Sequence, residues 1–409
     1  MNRWVTTWGC ALQPPDGDDD PDLSGAILRQ TVRATVGGDA AGVSPSSARL
    51  RLSNEYGRTP LGVVAAAVAR PDAGRTGVSR VVPGSSIALT FRGAASVTIP
   101  PRGTATTDPF VLPLAPRTNL AVTLQLEPGC AIEGITTHPG SRTTSYVVAG
   151  HAVPPDQRPD ELIAEPELKD AVPVAHWYLL SALEVRPDAL PSPGEPAPAV
   201  AVLLGDSLTD GRGSTTDGND RWPDQLIDRL HEREGLTHLG FVNQAAGGNR
   251  VLRDGLGIAA LARLERDVLA CAGVAWLILF EGVNDIGTAL STMEAQRRVG
   301  DELIGAYGQI IDRAHAHGIR VYGSTLTPFA GNSYDDAAGV REATRQRVNA
   351  WIRDSRRFDE VIDFDAAVRR PDDPARVRPG LHVGDGLHLN RSGYRALAAA
   401  VPATLFGTP

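Results

Sequence analysis

From Ala199 onward, five short apolar runs alternate with longer segments of helical period. The runs are Ala199–Leu204, Gly240–Val242, Ala275–Phe280, Arg320–Tyr322 and Val361–Ile362. Where such a run is continuously apolar it reads as a strand buried on both faces, the habit of parallel sheets. Between the runs, Pro223 opens a segment that puts Leu226, Ile227 and Leu230 on one face and closes before Gly235. Further helical patterns cover Ile258–Ala270, Met293–His317, Arg341–Ile352 and Asn390–Leu405. Strand and helix in alternation predict a flavodoxin-like, three-layer α/β domain with a parallel five-stranded sheet. In such a sheet ligands bind beyond the carboxyl ends of the strands, so site residues must follow strands and not precede them.

The first half has a different texture. Short alternating or β-branched runs, among them Ala48–Ser53, Ser86–Phe91, Ala95–Ile99 and Leu120–Leu126, are separated by Gly, Pro, Asn and Asp every ten residues or so. That spacing predicts an all-β antiparallel sandwich. Pro187-Asp-Ala-Leu-Pro-Ser-Pro-Gly-Glu-Pro-Ala-Pro198 cannot sustain a helix or a strand ladder and predicts an extended linker. The expected organisation of the 409 residues is therefore a sandwich at 1–187, a linker at 188–198 and an α/β domain at 199–409.

Charge removes several functions. With 40 basic against 48 acidic groups the chain carries a net −8, so no broad positive field exists to hold nucleic acid or an anionic membrane. Lys169 is the single lysine, and the other 39 of the 40 basic residues are arginines. Its context, Glu-Pro-Glu-Leu-Lys-Asp, fits neither a P-loop, a Schiff-base site nor a kinase strand. Cys10, Cys130 and Cys271 are too few and too scattered for a disulfide framework or a zinc site, so structural thiols are expected. No HExxH or EF-hand pattern occurs, so the expectation is no metal and no cofactor. The longest apolar run, Val268–Phe280, is too short to span a bilayer. The opening residues lack an apolar h-region, which predicts a soluble, cytoplasmic chain unless a leader has been removed.

Four segments meet the strand-end requirement. Gly205-Asp-Ser-Leu-Thr-Asp-Gly211 follows the first run and Asn243-Gln-Ala-Ala-Gly-Gly-Asn-Arg250 the second; Gly282-Val-Asn-Asp285 follows the third, and Asp385-Gly-Leu-His388 lies beyond the fifth. A serine hydroxyl is a poor nucleophile until a base accepts its proton, and histidine, with a pKa of roughly 6.5, suits that task. Ser207 is the candidate nucleophile and His388 the candidate base. Asp385, three residues earlier, can hold Nδ1–H and fix the tautomer. Attack on an ester carbonyl creates an oxyanion, for which the Ser207 N–H, the Gly248 N–H and the Asn284 side-chain amide are candidate donors. Asn249 and Arg250 stand either against a substrate hydroxyl or carboxylate or on a solvated loop edge. Asp206 and Asp285 read as carboxylates that bond backbone N–H groups, and Asp210 as a turn residue. His315 and His317 face different sides of a helix end and suit neither a metal pair nor a triad. Trp4, Trp8 and His138 to Tyr146 read first as core packing, with lining of the cleft as the alternative. No G-x-S-x-G elbow is present, which argues against the ordinary α/β-hydrolase fold.

These segments resemble the GDSL, or SGNH, hydrolase superfamily over residues 200–405. Its four named residues match Ser207, a glycine of the second segment, Asn284 and His388. Counted from Asn243, Gly248 fits that glycine, with Gly247 the alternative, and Ala245 stands where a glycine is frequent. The resemblance implies a serine esterase working through an acyl-enzyme, with small acyl groups on a sugar or glycoside as the expected substrate. The layout looks like a two-domain bacterial subgroup associated with xylan and other carbohydrate esters, whose first domain is similar to a carbohydrate-binding module. Two alternatives stand beside it: an acyltransferase serving a hydroxyl of a small molecule or secondary metabolite, and a non-catalytic carbohydrate-binding protein.

Overall fold

The computed structural model describes residues 4–15, 22–37, 45–129, 131–150, 157–187 and 196–407. Cys130 and residues 188–195 of the expected linker lie outside the described residues. The chain divides into two compact units, Met1–Ala197 with Thr216–Gly218, and Pro198–Thr215 with Asn219–Pro409.

Antiparallel sheets build the first unit. One sheet runs in the order Val5–Gly9, Leu180–Pro187, Pro45–Ser53 and Thr104–Thr106, with Phe110–Pro113 also paired to Pro45–Ser53. A second runs Val172–Val174, Ser145–Val148, Ile27–Arg33, Asn119–Leu126, Leu61–Ala69 and Ile87–Ala88, with Val97–Ile99 also on Leu61–Ala69, and a third pairs Thr137–Pro139 with His176–Tyr178. A strand expected from Ser86 to Phe91 shrinks to Ile87–Ala88. Beyond it the chain turns on the Asp108 carboxylate, which accepts from Thr90 Oγ1, Arg92 N and Gly93 N. The central strand Ile27–Arg33 carries a buried cation, Arg29, which is tolerable only because its donors are satisfied. They reach Thr123 Oγ1 and the carbonyls of Ser79 and Glu165, which ties the helix Pro159–Ala164 and its exit to the sheet. Trp8 packs edge-on against Trp177 at 5.1 Å, and His138 Nδ1 lies 2.8 Å from Ala11 O; both side chains are core. Cys10 is buried, its Sγ donating to Leu180 O, and Cys271 is half-buried.

The second unit holds a five-stranded sheet with every pairing parallel. Its order is Leu239–Asn243, Ala199–Gly205, Val274–Phe280, Arg320–Ser324 and Glu360–Ile362. In chain order this is 2-1-3-4-5, the flavodoxin-like arrangement. The first strand is buried at all seven positions, which explains why its sequence is apolar without alternation. The principal helices are Trp222–Arg233, Ala260–Leu264, Met293–Ala316, Val340–Asp354 and Arg391–Ala400. Ala260–Leu264 continues into a π-helical turn, Glu265–Leu269.

The expectation of one helix from Asn390 to Leu405 is corrected. The helix stops at Ala400 because Pro402 has no N–H and forces Val401 into an extended conformation (φ −86°, ψ 112°); a short 3-10 turn, Ala403–Phe406, follows. Three short helices, Ser207–Asp210, Val283–Thr288 and Phe364–Val368, have too few residues for a periodic pattern to show. Among the described residues, no helix is long and apolar enough to cross a membrane.

Candidate active site

The end of the first strand delivers Ser207 to the first turn of a four-residue helix. Asp206 caps that helix, its Oδ1 accepting from Leu208 N at 2.9 Å, and Gly211 closes it in the left-handed region at φ 101°. The Ser207 N–H therefore falls among the first-turn donors that have no partner inside the helix. Ser207 Oγ lies 2.9 Å from His388 Nε2, and His388 Nδ1 lies 2.6 Å from Asp385 Oδ2. Ser207 is 6% and His388 8% exposed.

The loop before the last helix holds the other half of this relay. Asp385 Oδ1 accepts from Leu387 N and His388 N, His382 Nδ1 accepts from Gly384 N and Gly386 N, and Val383 N donates to His388 O. Asn390 then caps the helix Arg391–Ala400 through Ser392 N and Gly393 N. Burial pushes the Asp385 carboxyl up. The hydrogen bonds from the His388 side chain and from Leu387 N and His388 N outweigh this and hold it below its ordinary range. An ionised carboxylate only accepts, so Nδ1 carries the ring proton and Nε2 is the acceptor that faces the serine hydroxyl.

Two further strand ends supply the opposite wall. Ala246 N donates to Gly205 O, which pins the second segment to the first strand. Gly248 sits at φ +69°, a backbone conformation that favours glycine, and a Cβ there would stand 2.5 Å from Cδ1 of the exposed Leu256, which would have to swing aside. At Gly247 an added Cβ meets only Asp210 Oδ2, at 3.8 Å. Of the two adjacent glycines, Gly248 is the one that cannot be replaced without strain. Asn284, in the helix Val283–Thr288, donates from Nδ2 to Asn249 O at 2.8 Å, and its Oδ1 lies 2.9 Å from Tyr334 Oη. One Nδ2 hydrogen is thus committed to the loop, and the amide has a second.

Asn249 departs from its expected place. Its side chain is 1% exposed, neither facing substrate nor on a solvated edge. Oδ1 accepts from Arg263 Nε and Nη2, and Nδ2 donates to Ile258 O. Arg263 also bonds Gln244 O and Asp267 Oδ2, so one buried guanidinium clamps the whole second segment against the helix behind it. Arg250 is half-buried and donates to Thr288 Oγ1 and Asp254 O. Asp285 accepts from Val251 N and Leu252 N, the structural role expected of it. His315 pairs with Asp359 and His317 with Arg313 O. Sequence reasoning missed Arg263, Asn332 and Tyr334. The last two lie beyond the fourth strand, the one strand end where no candidate segment was sought.

A store of acid lies under the site. Asp206, Asp267 and Asp285 are buried near Glu281, whose Oε2 lies 3.8 Å from Arg263 Nη2, and Asp267 pairs with the same guanidinium. Burial, with added repulsion from Asp285 and Asp210, raises Asp206 to about 7. Burial raises Asp285 to about 6, and burial together with the neighbouring carboxylates raises Glu281 well above its ordinary value despite Arg263. A carboxyl whose folded pKa is raised binds its proton more tightly in the folded state. The stability it contributes is present at low pH and falls as pH rises from the unfolded value, near 4, through about 7. Asp206→Asn keeps an oxygen for the Leu208 cap and removes the charge. Relative to the native protein it is expected to gain stability between pH 5 and pH 8, on the order of a few kcal/mol. Urea midpoints of both proteins at the two pH values check this, and an equal difference at both would reject it.

Residues 203–396 match the family described as GDSL-like lipase/acylhydrolase. Among solved structures, the chain is similar to a GDSL-like lipase from Bacteroides thetaiotaomicron, at 17% identity over 52% of this chain and 88% of that one, TM-score 0.37. It is similar also to an acetyl xylan esterase from Geobacillus stearothermophilus, at 21% identity over 50% and 93%, TM-score 0.38. A third, an α/β hydrolase enzyme from the metagenome of Lake Arreo, shares 21% identity over 50% and 94%, TM-score 0.37. No curated protein matches the chain. Within the second unit, residues 203–396 carry a GDSL-like lipase/acylhydrolase domain.

Proposed function

We propose that the protein is a serine-dependent acyl-ester hydrolase. The observation that carries the reading is the hydrogen-bonded line from Ser207 Oγ through His388 to Asp385, at 2.9 and 2.6 Å, with Asn284 and Gly248 on the facing segments. Ser207 Oγ attacks the acyl carbonyl as His388 Nε2 takes its proton. The carbonyl oxygen becomes an oxyanion for which the Ser207 N–H, the Gly248 N–H and the second Nδ2 hydrogen of Asn284 are donors. His388 then gives its proton to the departing alcohol oxygen, leaving an acyl ester on Ser207. Water attacks that ester, its proton passes to His388, and the free acid leaves as the proton returns to Ser207. Asp385 orients the imidazole and stabilises its charged form in both halves.

For the substrate we propose small acyl groups on a sugar or glycoside, a choice supported by the resemblance of the motif segments and by the two-unit layout. Diethyl p-nitrophenyl phosphate tests the nucleophile. The expected result is one p-nitrophenolate per chain, loss of activity on p-nitrophenyl acetate, and a diethylphosphoryl adduct on the peptide bearing Ser207. Inactivation with the adduct elsewhere would overturn the assignment. Acetylated glycosides should be deacetylated faster than long-chain p-nitrophenyl esters, and the reverse order would remove the substrate proposal. If an added alcohol diverted acyl groups into new ester faster than free acid formed, the enzyme would be a transferase.

A further inference from the structure

The loop between the fourth strand and the helix Val340–Asp354 belongs to none of the four motif segments, yet it touches both halves of the site. Asn332 Nδ2 donates to Asp385 O at 2.9 Å, while Asn332 Oδ1 accepts from Tyr334 N at 3.1 Å. Tyr334 Oη lies 2.9 Å from Asn284 Oδ1. Arg341 donates to Tyr334 O and to Ala289 O, fastening the loop to the end of the helix that carries Asn284. The Tyr334 ring lies over Gly287, where a Cβ would come within 2.2 Å of it, so glycine is what lets the ring lie close to Asn284.

The chemistry of the amide gives this contact a direction. A carboxamide can be turned by 180°, exchanging its donor and acceptor ends. Asn249 O only accepts, so it demands Nδ2 on its side, and the opposite end of Asn284 must then be the acceptor. Tyr334 meets that end with an O–H. Burial and the charge of Asp206 raise the Tyr334 hydroxyl above its ordinary value, so it stays a donor across the working pH range. In the turned orientation two acceptors, Asn284 Oδ1 and Asn249 O, would face each other.

We propose that Tyr334 is a positioning residue that fixes the orientation of the Asn284 amide, and that Asn332 couples it to the Asp385–His388 loop, making Gly331–Tyr334 a fifth segment of the site. The inference rests on the esterase reading above, because it acts through an oxyanion donor. Removing such a donor outright lowers kcat by about a hundred- to a thousandfold. Freeing it to turn should cost less.

The test uses p-nitrophenyl acetate with Tyr334→Phe, Asn284→Ala, their double variant, Asn332→Ala and Ser207→Ala. Tyr334→Phe keeps the ring over Gly287. It is expected to lower kcat about tenfold with KM within about twofold, and to leave the midpoint of the pH profile in place because the His388–Asp385 pair is untouched. In the Asn284→Ala background the same change should have no further effect. Asn332→Ala, which keeps the hydroxyl and frees the loop, should lower kcat several-fold in the native protein and no further in Tyr334→Phe. Equal effects of Tyr334→Phe in both backgrounds, a rise in KM at constant kcat, or native activity in Asn332→Ala would overturn the proposal. If Ser207→Ala is inactive while Tyr334→Phe is not impaired, the positioning role falls and the esterase reading stands. Native activity in Ser207→Ala would remove both.

Discussion

Replacing Ser207 by alanine is expected to lower kcat on p-nitrophenyl acetate by about 10⁴-fold or more, with KM changed only a few-fold. The hydroxyl is the atom that becomes bonded to the acyl group, so no neighbouring side chain can take over its step. Binding groups and oxyanion donors remain in place, which is why KM should move little and why the rate should remain above that of free water. The loss should not add to that of His388→Ala, because nucleophile and base act as one unit 2.9 Å apart. Steady-state kinetics on the two single variants and the double variant provide the measurement. Activity in Ser207→Ala within tenfold of native would exclude Ser207 as nucleophile.

Asp385→Asn carries the second large effect, again about 10⁴-fold in kcat, and for a different reason. The native carboxylate only accepts, so it keeps the proton on His388 Nδ1 and leaves Nε2 free to receive one from serine. An asparagine amide can instead donate to Nδ1. That drives the ring proton to Nε2, where it opposes Ser207 and the base is lost. The fold should survive, since an asparagine oxygen can still accept from Leu387 N and His388 N. The hydrogen bonds that hold Asp385 below its ordinary range also set the pH behaviour: the carboxylate contributes stability above its unfolded value, near 4, and loses it on acidification through the folded value. Kinetics beside a thermal unfolding curve separate the two effects. A loss under tenfold in a folded variant would show that Asp385 does not control the tautomer.

The parallel sheet was legible because its inner strands are buried on both faces along most of their length. Ala199–Leu204 became Ala199–Gly205, one residue longer at one end, and Gly240–Val242 became Leu239–Asn243, one residue longer at each end. Residues that act at a strand's own end were legible with them, since the chain carries them to the rim without help. Asn249 was not. Its neighbours Gly-Gly and Arg suggest an exposed turn, and the group that buries it, Arg263, reaches back from 14 positions away. Tyr334 was hidden for the same reason, because it stands in a polar loop 50 positions from the amide it meets. The strand expected at Ser86–Phe91 gives way to a turn in which Phe91 and Ala94 bond each other and Asp108 holds Arg92 N and Gly93 N, a contact 15 or 16 positions away that local alternation does not show.

The fifth strand, Glu360–Ile362, is three residues long and pairs on one side only. Ser207 follows the strand second from the opposite margin, while His388, 181 positions later, comes after that edge strand in the chain. Local opening draws first on short, singly paired elements. If the relay opens together with that margin, its durability follows the fraying free energy of the edge and not the cohesion of the sheet's middle. Heat or denaturant should silence the enzyme while most of its backbone remains folded, and reclosing that margin should restore it without refolding the rest.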